Sequence, residues 1–388
     1  MTLRLYESDP YLKEFDATVT KVEGEWVVLD RTAFYPGGGG QERDQGTLAG
    51  LPVLGMRGKD EIAHRVPGHA FTVGDKVHGT LDWENRYALM RAHTGEHLLF
   101  SSLSRRTDME LVKISLARER KVLVVKGHLD WGIVREAVQE VNSIIAQGAK
   151  VSSHLVDREG IGEGGPRAKL DRISERMVRV VSIGEHDHAA CAGVHLGDAR
   201  EIGMLLVNKF TSAKPAGDWE IEFLVGPEAV RAAVDLSISA LMLGERMGAL
   251  PQDSLTAFDN RERELNRARE ALKVYGRTAL ASLRPRELGP WKVFTGSFLA
   301  LDRRLVMEWA NELVAGGGSV AVLVCQDERT FLVLARSPDV DIDCVTILRE
   351  ALAPYGGRGG GKPAFASGGT SDQVDPGALI DGVLRLLK

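Results

Sequence analysis

The stretch DWENRYALMRAHTGEHLLFSSL, residues 82–103, decides how the rest of the chain must fold. Asp82 suits an N-cap, Glu84 lies in the first turn and Arg105 and Arg106 follow the end, so the spacing predicts one long helix. On that helix His93 and His97 are four residues apart and share a face within reach of one ion. About a hundred residues further on, CAGVH at 191–195 repeats the interval with Cys191 and His195. One thiolate and three imidazoles make a tetrahedral set of the softness zinc accepts, so one Zn2+ per chain is expected, held by His93, His97, Cys191 and His195. His186 and His188 lie just upstream as alternative ligands or outer partners.

Around this helix the pattern predicts an α+β multidomain chain. Residues 1–82 alternate in short segments such as ATVTKVEGEWVVLD (17–30) and DKVHGTLDW (75–83), which suggests a small antiparallel β-barrel or sheet. The run Gly37 to Gly40 interrupts it and marks a sharp turn or a close backbone approach to a ligand. Residues 83–225 mix the helix with strand-like KVLVVKGHL and RMVRVVSI and a second helical run, forming an α+β zinc-binding domain. Residues 226–284 form a helical connector, entered through Gly226 and Pro227 and broken at Pro251. Residues 285–388 alternate strands and helices as a C-terminal α/β domain, within which GGRGGGKPAFASGG (356–369) reads as a second glycine-rich loop.

Bulk properties narrow the function classes. The chain has 388 residues, 44% of them hydrophobic, enough for several cores. No run of about 18 uncharged apolar residues appears and MTLRLYESDP lacks a signal-peptide core, so a cytoplasmic protein without membrane contact is expected. Three cysteines exclude a disulfide framework, and Cys325 and Cys344, in apolar contexts, read as core thiols. A net charge of −5 gives no global pull toward a polyanion, so any nucleic-acid contact must be local. Candidates are Arg105, Arg106, Lys113, Arg118, Arg120 and Lys121, and later Arg303, Arg304, Arg358 and Lys362.

The motif itself leaves alternatives. Four protein ligands usually close a structural site, whereas catalytic zinc keeps a position for water. HTGEH also fits the inverted zinc-protease pattern, with Glu96 as base, but that enzyme wants an open metal position and a distal carboxylate.

Taken together the blocks resemble the editing domain of alanyl-tRNA synthetases and its free-standing AlaX-type relatives, in the long form. FYPGGGGQERDQG resembles the family's Gly-Gly-Gln stretch, DWENRYALMRAHTGEHLL its His-Thr-x-x-His-Leu-Leu block, and CAGVHLGDAREIG its Cys-Gly-Gly-Thr-His block. WEIEFLVGPEA resembles the family's exit strand, and GGRGGGKPAFASGG the glycine-rich signature of the synthetase's C-terminal domain, which also accompanies Asp-His-His phosphoesterases. Ala192 and Val194 depart from the usual Gly and Thr beside the metal. No stretch resembles the ATP-binding aminoacylation domain.

The resemblance implies a zinc-dependent hydrolase that deacylates alanine tRNA carrying serine or glycine. It implies that Gln41 orients water or the ester, that Thr32 tests for serine's hydroxyl and that Glu96 carries a proton. It also implies that Gly38, Gly39 and Gly40, with Arg358, Gly359, Gly360, Gly361 and Lys362, contact the tRNA. A homodimer through the connector or the C-terminal domain is expected as well. The competing reading from another class is a non-catalytic tRNA-binding module with structural zinc.

Overall fold

After a single helical turn, α1 (Leu5–Ser8), the computed structural model places the paired histidines on one helix, α2 (Trp83–Ser104). Its N-cap is Asp82, whose carboxylate accepts the Asn85 amide at 3.0 Å, and its last turn runs into Arg105. Residues 1–161, 165–168, 176–214 and 217–388 are described. They divide into two units, Met1–Met242 and Leu243–Lys388.

In the first unit the N-terminal strands form one antiparallel sheet of seven, in the order Leu51–Pro52, Gly46–Leu48, Lys76–Leu81, Glu14–Glu23, Trp26–Leu29, Ala63–Arg65, Gly55–Arg57. A register shift between Val19 and Lys21 lets the long second strand pair with both neighbours. The two edge strands are separated in sequence only by Val53 and Leu54, whose amides donate to Gly46 O and Arg65 O. The sheet therefore curls until chain continuity joins its edges, around Phe15, Ala17, Val19, Val27, Leu29 and Leu48.

A four-stranded antiparallel sheet, ordered Met109–Leu116, Lys121–Gly127, Asp218–Val225, Leu205–Ser212, packs against α2 and α3 (Trp131–Gln147). α2 is buried on nearly every face, which is why its sequence lacks a clean polar stripe. Gly95 lets it lie close to the sheet, since a Cβ there would stand 3.2 Å from both Leu205 and Val225. A third antiparallel sheet, Val151–Asp157, Met177–Ile183 and Asp187–Ala190, carries the chain toward Cys191.

The sequence pattern suggests a boundary at residues 82/83, but there the structure has a shared core. Tyr6, Tyr35 and Ile62 belong to the same apolar cluster as Met90, Leu98 and Leu99 of α2. Arg86 of α2, with no exposed surface, holds both carboxylate oxygens of the equally buried Asp44 through Nε at 2.9 and 3.0 Å, and its Nη2 also reaches Asp44. Nη1 and Nη2 also donate to Pro10 O and Ala33 O. Removing one partner of such a pair leaves an uncompensated buried charge, a cost of about 3–5 kcal/mol. The N-terminal sheet and the histidine helix therefore form one unit.

The stretch expected as a separate connector, 226–284, is two helices, α4 (Gly226–Met247) and α5 (Ser254–Ala281), interrupted at Pro251; the units divide inside α4, at Met242/Leu243, so α5 belongs to the second unit, whose core takes in its Leu280. The second unit is built on a six-stranded sheet ordered Arg286–Leu288, Trp291–Leu299, Ser319–Gln326, Thr330–Arg336, Phe365–Gly369, Arg358–Lys362. Strand Ser319–Gln326 is apolar from Val320 to Cys325 because both faces are covered. Val320, Val322 and Val324 meet α7 (Cys344–Leu352) and α8 (Pro376–Leu386), while Ala321, Leu323 and Cys325 meet α6 (Arg303–Leu313) and Leu280 of α5. Cys325 and Cys344 are core thiols. No helix among the described residues is long and apolar enough to cross a membrane.

Candidate metal centre and its cavity

His93 and His97 lie one turn apart on α2, and the loop after strand Asp187–Ala190 lays Cys191 and His195 over them. The candidate ligand atoms of the four residues all lie within 4.8 Å of one another. Cys191 Sγ stands 3.4 Å from His93 Nε2 and 3.3 Å from His195 Nε2. Zinc–sulfur and zinc–nitrogen bonds of about 2.3 and 2.0 Å at a tetrahedral angle require an S···N edge of about 3.5 Å. The cluster thus fits a metal of zinc's size and ligand preference.

Each imidazole's outer nitrogen has a partner. His93 Nδ1 meets Gln41 Oε1 at 2.7 Å, His97 Nδ1 meets Asp187 Oδ2 at 2.8 Å, and His195 Nδ1 meets Thr94 Oγ1 at 3.3 Å. Because a carboxylate and an amide oxygen can only accept, His93 and His97 carry their protons on Nδ1 and turn the Nε2 lone pair toward the centre. The loop backbone is held by the same groups. Val194 N donates to Gln41 Oε1 and Leu196 N to Thr94 Oγ1, while Arg179 Nη1 donates to the carbonyls of Cys191 and Gly193. Gly193 packs flat on His93, and a Cβ there would fall 2.2 Å from the ring.

Electrostatics favour the ligating forms of Cys191 and His195, whereas His97 is held toward its protonated form, whose Nε2 proton a metal would displace. Burial opposes a thiolate at Cys191, yet His93 and His195 outweigh it and hold the thiol well below its ordinary value. Burial, and after it the neighbouring His93, pushes His195 down to about 3. Burial also opposes a charge on His97, but the Asp187 hydrogen bond outweighs it. Asp187 is kept low, against its own burial, by His97 and by Arg167, whose Nη2 reaches its two oxygens at 3.1 and 3.2 Å.

Beside the cluster opens a cavity of about 530 Å³ lined by Gly39, His93, Glu96, His97, Arg167 and Cys191 among others. Glu96 has no exposed surface and neither carboxylate oxygen has a hydrogen-bond partner, so burial raises its pKa. Gln41 is 3% exposed and lies behind His93 rather than in the cavity lining; its Oε1 is spent on His93 and Val194, while Nε2 is buried without a partner.

The other residues singled out in the sequence fall elsewhere. Thr32 does not line this cavity and has no exposed surface. Its hydroxyl meets His64 Nε2 at 3.0 Å and accepts the Phe34 amide, so it is occupied within the N-terminal sheet, contrary to the expected test of a serine side chain. Gly37 to Gly40 all have positive φ, and Gly40 is pressed on Ile114, where a Cβ would lie 2.7 Å from the carbonyl oxygen. The expected basic patch is largely consumed by ion pairs: Arg105 and Arg106 with Glu140, Arg118 with Glu84, Arg120 with Glu220 and Glu222, and buried Lys121 with Glu228.

The stretch read as a C-terminal glycine loop is a strand pair at the sheet edge. Gly359 is closed against Leu348 and Gly368, Gly360 has open space and Gly361 abuts Phe365 O, while Arg358 and Lys362 are exposed. Glycine-rich sequence here reflects close packing against α7, which leaves no other mark in the sequence.

Asp187, Thr94 and Arg179 were missed. His186 and His188 drew attention instead, but His188 Nδ1 bonds Ser182 and His186 offers its carbonyl to Ser101. The signal was present: strand alternation puts residue 187 on the opposite face from 188.

Comparison with known proteins places the chain among relatives of alanyl-tRNA synthetase. Residues 9–85 match the family model of class II (A) tRNA synthetases. The whole chain is 28% identical to the alanyl-tRNA editing protein AlaX-L of Pyrococcus horikoshii, covering 99% of that protein. It is 28% identical over 93% of its length to the alanine–tRNA ligase of Ignicoccus hospitalis, and spans 40% of that ligase. The C-Ala domain of Aquifex aeolicus alanyl-tRNA synthetase aligns with 27% of the chain at a TM-score of 0.26 and 17% identity, over 97% of that domain. The resemblance to AlaX-type proteins read from the sequence therefore extends along the full chain.

Two outcomes follow from these contacts. Asp187→Asn should weaken zinc affinity by roughly 10 to 100-fold in chelator competition, as losses of outer-shell partners do; unchanged affinity would remove Asp187 from this role. Burial lowers His64 from 6.5 to about 4. The unfolded chain then binds a proton that the folded one refuses, so stability present above pH 6.5 is lost as pH falls toward 4, by about 3 kcal/mol. Denaturant unfolding at pH 7.5 and 4.5 should show a smaller acid loss for His64→Gln than for the wild type.

Proposed function

We propose that this chain is a trans-editing enzyme that hydrolyses the ester of alanine tRNA mischarged with serine or glycine, with one zinc held by His93, His97, Cys191 and His195. The observation that carries the reading is the converged cluster, beside a cavity with a buried unpartnered carboxyl, in a chain similar end to end to an alanyl-tRNA editing protein. Such an activity answers a selectivity limit. A pocket sized for alanine rejects glycine, or a side chain larger by one hydroxyl, by only about 10 to 200-fold, so a second site is useful.

When bound, the metal would supply Lewis acidity and a point to which a polar substrate group can be drawn. The remaining work belongs to the chain. Gln41 fixes the His93 ring and the Val194 amide through Oε1 and keeps Nε2 as a donor for the ester or the attacking water. Glu96 can pass a proton from that water to the departing ribose oxygen as the acyl–oxygen bond breaks, having no protein partner to give up first. The bare backbone at Gly39 admits the 3′ end to the cavity. Arg358 and Lys362, exposed at the two ends of an edge strand, supply cations for the tRNA body, and the setting is cytoplasmic.

The structural-zinc reading draws on one specific observation: four protein side chains converge, the number that a closed structural zinc site takes. Turnover separates the two. Zinc-loaded protein should release serine and glycine from mischarged alanine tRNA, and Glu96→Gln should slow release by about 100-fold while keeping zinc content. Binding of the tRNA without release would leave the structural reading standing.

A further inference from the structure

The wall that carries the metal centre has two sides. Gly39, Ala190, Cys191 and Ala192 line the 530 Å³ cavity, and the same four residues line a second cavity of about 500 Å³. Its remaining lining includes Arg4, Lys59, Arg179, Leu155 and Met177, with Glu7 as an acidic member.

The composition of this space is informative. Leu155 stands opposite Arg179 in register, and Met177 lies two residues along from Arg179, so the three side chains share one face of the sheet. Leu155 is 64% and Met177 46% exposed, although both sit in regular strands. Two uncovered apolar side chains flanking an arginine give a flat body something to rest on and an anion something to meet. Arg4 adds a second guanidinium, tethered to Glu7 at 2.9 Å and to Lys59 O at 2.8 Å. The lining carries three cations, Arg4, Lys59 and Arg179, and one carboxylate, Glu7, which Arg4 engages; its net positive charge favours a phosphodiester. Between the two cavities Gly39, with φ of 59°, meets nothing within 4 Å of where a Cβ would be and leaves a bare lip over which a chain can pass.

We propose that the second cavity seats the nucleotide that precedes the esterified terminal nucleoside in a single-stranded RNA 3′ end. Its base rests on Leu155 and Met177 and its phosphate lies toward Arg4 and Arg179, while the terminal ester crosses Gly39 into the cavity beside Glu96. The inference rests on the editing reading for what occupies the first cavity. It adds that the protein recognises its substrate one nucleotide back from the reacting bond.

The test uses the full-length zinc-loaded protein, the double variant Leu155→Glu/Met177→Glu, which alters only exposed side chains, and separately Arg4→Gln. The first arm is binding of a 5′-labelled alanine acceptor minihelix with its single-stranded 3′ end, against the same minihelix with that end removed. Wild type should prefer the intact end by about tenfold and the variants should lose that preference, the scale expected for one seated base. The second arm is hydrolysis: KM for a seryl minihelix should rise by about tenfold in the variants, with turnover of 3′-seryl-adenosine, which has no preceding phosphate, unchanged. Variants that retain the binding preference, a wild type without one, or equal loss on both hydrolysis substrates would overturn the proposal. A wild type that prefers the intact end yet hydrolyses neither ester would contradict the editing reading and leave this seat in place.

Discussion

The structure depends on making three imidazoles and one thiolate point at a single spot from two segments nearly a hundred residues apart. An imidazole on a helix can turn about two bonds, so spacing along the chain does not aim it; a hydrogen bond to its other nitrogen does. Gln41, Asp187 and Thr94 supply those bonds from three different elements. Each brings its own segment into the unit: the glycine run, the third sheet and α2 itself. The same side chains satisfy amides of the 191–196 loop, so aiming the ligands and folding the loop are one event.

Several features that look separate answer to this requirement. The Arg86–Asp44 pair fixes the turn that ends in Gln41, because Asp44 also accepts the Tyr35 amide at 2.6 Å. Gly95 lets α2 sit deep enough against the sheet, and Gly193 lets the loop sit deep enough against His93. Ala192 and Val194, the departures from the family's usual motif, have different surroundings. Val194 is buried in the core cluster, whereas Ala192 forms part of the wall between the two cavities.

Helices, strands and the four converging residues were legible because they follow from periodicity and from rare residue types repeated at one interval. Asp82 as N-cap and the break at Pro251 are local signals, and the structure has both. What the sequence hid was long-range. Nothing near Asp187 names His97 as its partner, and nothing near Arg106 or Lys121 shows that Glu140 and Glu228 neutralise them. Thr32 looked available because its partner His64 lies 32 residues away on another strand. Glycines at 359 and 368 were legible as backbone approach, but the approaching group is Leu348 and Leu352 of α7. The boundary suggested at 82/83 failed for the same reason, since a core shared between Tyr35 and Leu99 leaves no trace in the composition of either segment.

The central claim joins a metal held by four protein side chains to ester hydrolysis on alanine tRNA. It is tested most directly by stripping the metal with a chelator, confirming that the protein remains folded, and returning zinc in steps while following deacylation of seryl-tRNA(Ala). The account predicts that release of serine stops without metal and returns in proportion to zinc, reaching full rate at one equivalent per chain. Undiminished release from the folded, metal-free protein would contradict it.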